Sequence, residues 1–281
     1  MNTKLIYANS LLIALLSAVA TLSGLLWKGF YSKETISMGA QAMGQDLVTL
    51  LVALPLLLLS LYLIHKKSLR GQMIWMGSIF YFLYTYASLS FLANYNQFFL
   101  VYVALFSLSL YTFIYGLMSL DAKTLKNSMK PGKTTTVAAI FTIFMAVMLA
   151  FLWLNIIIGS LLSGSVPTIL EKYTTLVVQA LDLGVLVPVA IITGTLLLKG
   201  RAWGYVLMSI LIVKISLLGT AILSMIFFMA QNGVEIVLGQ AVFFVLTTVG
   251  GIIIAGLYYN KIDSTVTDSG PSQKMAMVSG K

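Results

Sequence analysis

The sequence predicts an all-α, polytopic transmembrane helical bundle, and three observations predict it. Of the 281 residues, 59% are hydrophobic and only 9% are charged, with a mean hydropathy of +0.99. A soluble domain of this length needs far more charge to cover its surface. Apolar runs of about 20 residues recur along the whole chain, the length at which a helix crosses a bilayer core. The basic residues gather in the short segments between those runs, where orientation signals belong. The net charge of +9 is thereby accounted for without nucleic acid as a partner. The chain has no cysteine, which excludes a disulfide, a thiol nucleophile and an iron–sulfur site.

Taken in order, the runs give eight spans, or seven if the first is cleaved. Span 1 is 5–27. Lys4 and the Ala18-Val19-Ala20 run have the form of a signal peptide with its cleavage site. Apolar residues continue through Leu25, Leu26 and Trp27, which favours a retained span. Residues 28–45 read as a loop, partly inserted or amphipathic. Span 2, 46–64, carries Pro55, which a membrane helix tolerates when neighbours satisfy the freed carbonyl. His65, Lys66, Lys67 and Arg70 make a basic turn into the aromatic-rich span 3, 71–93. A short uncharged turn leads to span 4, 98–120. Span 5 is 135–161, with Asn155 inside it. Spans 6, 7 and 8 are 175–198, 202–229 and 234–259.

Orientation follows from counting. With a cytoplasmic amino terminus, 13 of the 17 Lys and Arg fall in inner segments, and only Lys28, Lys33 and Lys172 fall outside. The positive-inside rule then places both termini in the cytoplasm. The chain divides into a four-span half at 1–122, a basic cytoplasmic linker at 123–134, a second four-span half at 135–260 and a disordered tail at 261–281. A shift of 133 positions lays Pro55 on Pro188, Lys66 on Lys199 and Gly71 on Gly204 without a gap. Four spans per half would make such repeats parallel, related by an axis along the membrane normal. Chance matching of apolar helices is the rival account.

Elimination removes most chemistry. His65 is the only histidine, so a bis-histidine haem, a di-iron histidine cluster, an HExxH zinc site and a nucleophile–histidine pair inside the membrane are excluded. No GxSxG, Walker A or GxGxxG motif is present. No cofactor is expected.

Two charges remain at span depth. Asp182 lies 18 residues before the turn at Gly200 and Lys214 lies 14 after it. At 1.5 Å rise per residue their depths differ by roughly 6 Å, which a lysine stem can largely cover. The two charges are a proton- or ion-coupling site, a structural ion pair that fixes helix register, or two charges that each find neutral partners. Gln45, Asp46, Gln179, Asn96 and Gln240, with Tyr84 and Tyr86, fall toward the outer face, and Tyr81 is in helical spacing with Tyr84. Together they suggest an outward-facing polar-aromatic pocket, suited to a cation or an amphiphile. Helix capping by Asp46 and an interfacial aromatic belt give the plainer explanation.

The runs Gly44-Gln45-Asp46-Leu47-Val48-Thr49-Leu50, Tyr81-Phe82-Leu83-Tyr84-Thr85-Tyr86 and Asn96-Gln97-Phe98-Phe99-Leu100-Val101-Tyr102 resemble a widespread set of uncharacterised bacterial multi-pass membrane proteins. The resemblance implies a bacterial cytoplasmic membrane and implies no activity. The outward-facing pocket, with Asp182 and Lys214 at its base, makes a small-solute transporter or permease-like protein the expected function. The rival is a non-transporting sensor or an accessory subunit of another membrane complex. An intramembrane enzyme comes third. Expected partners are the lipid bilayer, a small solute, and a membrane-protein partner or a second copy.

Overall fold

The computed structural model describes residues 3–130 and 132–263. Most of the tail expected at 261–281, and Pro131 of the linker turn, lie outside those residues. Among the described residues the secondary structure is helical, with no strand and one isolated bridge between Met129 and Ile262. Helices α1 (Thr3–Leu26), α2 (Ile36–Val48), α3 (Leu54–His65), α4 (Leu69–Leu92) and α5 (Phe99–Ser119) build the first half. A short α6 (Ala122–Asn127) follows, started by the Asp121 carboxylate, which accepts from the Lys123 and Thr124 amides. The second half is α7 (Thr134–Ser163), α8 (Val177–Leu181), α9 (Val187–Leu198), α10 (Ala202–Gln231) and α11 (Leu238–Tyr259).

Seven helical stretches are long and apolar enough to cross a membrane: Lys4–Leu26, Ile36–His65, Phe99–Ser119, Thr134–Ser163, Val177–Leu198, Ala202–Gln231 and Leu238–Tyr259. Their outer faces leave Leu15, Phe151 and Leu246 exposed, as lipid-facing positions should be. α4 has 24 residues and is not among the seven. Its position explains why: Ser78, Tyr81, Tyr84, Thr85 and Tyr86 are buried against neighbouring helices, where a polar side chain finds protein instead of lipid.

The expected loop at 28–45 ends earlier than the sequence suggested. Thr35 caps a helix that begins at Ile36, its side chain accepting from the Met38 amide. Asp46 therefore lies inside a helix and caps nothing, which overturns the capping account of that residue.

Each of the two proline-bearing helices contains a π-helical turn, Thr49–Ala53 and Asp182–Leu186. The cause is local. A proline has no N–H and its ring crowds the carbonyl four residues back, so the turn before Pro55 or Pro188 widens. The amides of Leu54 and Val187 then reach the carbonyls of Thr49 and Asp182, five residues back.

Positions 133 residues apart share further local geometry. Lys67 and Gly200 both have positive φ, at 57° and 62°. The Ser68 amide bonds to Leu63 O at 3.0 Å, and the Arg201 amide to Leu196 O at 2.9 Å. Gly71 lies so close to Leu63 and Ile64 that a Cβ would come within 2.4 Å of Leu63 Cβ. Gly204 has the same relation to Leu196 and Leu197, where a Cβ would meet the Leu197 nitrogen at 2.4 Å. α4 and α10 cross at Gly77, where a Cβ would sit 2.7 Å from Ile210 O, itself 133 positions on.

The bundle has two unlike ends. At the basic end, Arg70 donates twice to Ile262 O, at 2.8 and 2.5 Å, and the Lys130 amide bonds to Lys261 O. At the opposite end the turns after α1, α4 and α7 meet on Glu34. Its carboxylate accepts from the Asn94 amide at 2.9 Å, the Asn94 side chain at 2.7 Å and the Tyr173 hydroxyl at 2.6 Å.

Candidate functional site

Beneath that Glu34 clasp lies a cavity of about 430 Å³, within the range of small-molecule sites. It is walled by α2, α4, α7, α8, α10 and α11 and by the turns before α8 and α11. Five of the nine sequence-nominated residues line it: Gln45, Tyr84, Gln179, Asp182 and Gln240. The other four do not. Tyr81 accepts from Gln45, Lys214 lies against the Tyr84 ring, Asp46 faces Tyr31, and Asn96 accepts from the Phe98 amide in the turn before α5.

Asp182 is at the deep end, on the first residue of its π-helical turn, and is 5% exposed. Its two carboxylate oxygens are held separately. Tyr84 donates its hydroxyl to Oδ1 at 2.5 Å, and Trp153 donates its indole N–H to Oδ2 at 2.8 Å. These are charge-assisted bonds, about twice as strong as neutral ones. They fix the carboxylate between α4 and α7.

Lys214 is fully buried, and its Nζ has no hydrogen-bond partner among the described residues. It sits 4.0 Å from the centre of the Tyr84 ring and 5.7 Å from that of Phe80. Asp182 and Lys214 thus lie within Coulombic reach but share no hydrogen bond, and Tyr84 touches both. The ring quadrupole gives the ammonium what a carboxylate contact would otherwise supply.

A neutral network joins α2, its π-helical turn and α4. Gln45 Nε2 donates to Tyr81 Oη at 2.7 Å and to Thr85 Oγ1 at 3.0 Å, and Tyr81 Oη lies 2.8 Å from Thr49 Oγ1. Thr49 and Tyr81 are the residues 133 positions before Asp182 and Lys214. The earlier two residues touch through their hydroxyls, whereas Asp182 and Lys214 each contact Tyr84 instead.

No family model, curated protein or solved structure matches the chain. Its functional reading rests on geometry alone.

The sequence did not single out Trp153, Tyr31 or Gly24. Trp153 had a readable signal, since a tryptophan inside a span needs a partner for its N–H. Tyr31 lies in the turn after α1 and donates to Asp46 Oδ2 at 2.5 Å. Burial, then the Asp46 charge, push the Tyr31 phenol well above its ordinary range. Gly24 makes room for that pair: a Cβ there would come within 1.9 Å of Asp46 Oδ2. Nothing in the sequence places Gly24, Tyr31 and Asp46 together. Among the described residues no cluster of three acidic or histidine side chains could hold a metal.

Proposed function

We propose that the chain is a small-solute transporter or permease-like protein of a bacterial cytoplasmic membrane. The cavity carries the reading: a walled space of about 430 Å³ whose deepest polar group is a buried carboxylate held by Tyr84 and Trp153. Π-helical turns recur at functional sites, and here one places Asp182 in that wall. α4 is the eighth crossing in this reading, shielded from lipid by its neighbours. α1 is retained, because Ser10 accepts from the Trp75 indole at 2.8 Å and Tyr7 donates to Leu61 O at 2.8 Å. The basic end faces the cytoplasm, and the cavity then opens outward.

We also read the two halves as parallel repeats. Support comes from the paired π-helical turns, the paired basic turns and the paired close glycines, all 133 residues apart. A pseudo-two-fold along the membrane normal sets Tyr81–Thr49 opposite Lys214–Asp182. A site at the interface of such halves is the usual arrangement in repeat-built transporters.

One observation favours the accessory-subunit alternative. Asn155 is exposed on α7, inside a span, where a side-chain amide facing lipid goes without partners. A second helix, from another protein or another copy, would satisfy it.

Reconstitution separates the two readings. Solute-dependent flux into proteoliposomes, lost in Asp182→Asn, supports transport. Stoichiometric co-purification with another membrane protein, abolished by Asn155→Leu and without flux, supports the accessory role.

A further inference from the structure

The donors and acceptors at the deep end identify the kind of solute. We propose that the cavity binds an organic cation, with its positive centre toward Asp182 and its apolar body along Trp153 and Phe244. This rests on the cavity being a solute site, as read above.

The first argument is charge. The chain has 17 Lys and Arg against 8 Asp and Glu. The cavity inverts that balance. Asp182, Glu171 and Glu235 line it, and among the described residues no Lys, Arg or His does. Glu171 and Glu235 are exposed, on the turns before α8 and α11, while Asp182 is buried at the deep end. Like charges along a low-dielectric cleft focus the field and concentrate the opposite ion.

The second argument is an inventory of hydrogen bonds. The deep donors are already committed. Tyr84 spends its hydroxyl proton on Asp182, and Trp153 spends its N–H there too. Gln45 spends its amide nitrogen on Tyr81 and Thr85. Left for a ligand at the deep end are the Gln45 carbonyl oxygen and the remaining lone pairs of Asp182, all acceptors, while Ser88, Gln179 and Gln240 in the wall can donate or accept. An anion entering here meets neutral donors only, beside a carboxylate that repels it. An ammonium meets acceptors and a carboxylate.

The third is the protein's own precedent. The Lys214 side chain, which does not line the cavity, places its nitrogen 4.0 Å from the Tyr84 ring centre with no hydrogen-bond partner among the described residues. That contact holds a cation by ring and field alone. The Trp153 indole offers a like surface within the cavity.

The test uses the full chain in lipid nanodiscs and three probes of similar size: benzyltrimethylammonium, benzyl alcohol and benzenesulfonate. Tryptophan quenching is recorded in the parent and in Trp153→Phe, so that the indole in the wall reports binding. Saturable quenching by the cation alone, absent in Trp153→Phe, is expected. Asp182→Asn should weaken it about tenfold or more, the equivalent of a 1.4 kcal/mol loss. Gln179→Lys adds a cation to the wall without touching any bond to Asp182, and should weaken it too in a chain that elutes as the parent does. Equal or tighter binding of benzyl alcohol or benzenesulfonate overturns the proposal. So does the absence of saturable cation quenching up to roughly 10 mM, or an unchanged affinity in Gln179→Lys. Cation binding without flux in proteoliposomes would retire the transport reading and leave this inference standing. Flux of an anion would do the reverse.

Discussion

Lys214 and Asp182 meet on Tyr84 and not on each other: the phenol hydroxyl is 2.5 Å from Asp182 Oδ1, and the lysine nitrogen is 4.0 Å from the ring centre. The ring and the hydroxyl therefore serve different partners. Tyr84→Phe keeps the ring under Lys214 and removes one of the two donors to Asp182. A hydrogen bond to a charged group is worth about 1.5–3 kcal/mol, so the variant should melt lower in detergent by that amount. Tyr84→Leu loses both partners and should melt lower still. Equal melting of the two variants would show that the ring does nothing for the lysine.

The matched glycines give a second expectation. Gly71→Ala and Gly204→Ala each push a methyl into the preceding helix, where contacts of 2.4 Å leave no room. Overpacking of this kind costs about 1–3 kcal/mol, and the two losses should be alike if the hairpins are equivalent. Gly256→Ala is the control. It lies inside α11 with nothing within 4 Å of its Cβ position, so alanine should stabilise by about 0.5–1 kcal/mol. Urea or thermal melts of the three variants decide the point.

How far the sequence carried the fold depends on the element. Apolar length exposed the seven lipid-facing helices, because lipid demands an unbroken run. It could not bound α2, whose first turns hold Ser37, Gln41 and Gln45 and pack against protein. The 133-residue match was visible as Pro55 and Pro188, but the π-helical turns are backbone consequences that no side-chain pattern announces. At the site, counting residues from Gly200 put Asp182 and Lys214 at similar depth. It could not show that Tyr84 intervenes, because helix rotation decides which side chain fills the space between two helices. The Tyr31–Asp46 contact was illegible for another reason: a turn folds back onto a span, and neither segment encodes its partner.

The Glu34 clasp should respond to alkaline pH. Burial, then the hydrogen bond to Glu34, push the Tyr173 phenol up from 10.0 to about 12. A raised phenol pKa means that the fold favours the protonated form. Its contribution is complete below pH 10 and is lost as pH rises through about 12. In an absorbance titration, Tyr173→Phe should remove one phenol that ionises near the upper value. Glu34→Gln takes away the carboxylate and should bring that phenol back toward 10.0. A difference titration with Tyr173 ionising at its ordinary value in the parent would rule out the clasp.

Sidedness can be read with single cysteines, since the chain has none of its own. Asn127 and Lys67 are exposed at the basic end, and Ser32 and Ser165 are exposed at the other. In intact cells an impermeant maleimide should label cysteine at Ser32 or Ser165 and spare it at Asn127 or Lys67. Disrupted cells should label all four. Labelling of Asn127→Cys or Lys67→Cys from outside would invert the bundle and turn the cavity toward the cytoplasm.

The last prediction concerns the charge pair itself. Asp182→Asn leaves the Lys214 ammonium with the rings of Tyr84 and Phe80 and no nearby counter-charge. Lys214→Met leaves Asp182 with two donors and no cation. Removing one member of a buried pair typically costs about 3–5 kcal/mol, while replacing both is often near neutral. The two losses should not be equal here. Asp182 keeps two strong bonds in Lys214→Met, whereas Lys214 has none to fall back on in Asp182→Asn. Asp182→Asn should therefore melt lower than Lys214→Met, and the double variant should recover most of the difference from the parent. Tyr84→Phe in the same background leaves the ring and should preserve that coupling; Tyr84→Leu should reduce it. Binding of a cationic probe separates the roles further. If the pair only fixes the helices, the stable double variant binds the probe as the parent does. If Asp182 meets the solute, the double variant is stable and does not bind. Additive losses, with no recovery in the double variant, would mean that the field between the two charges is too weak to matter and that Tyr84 insulates them.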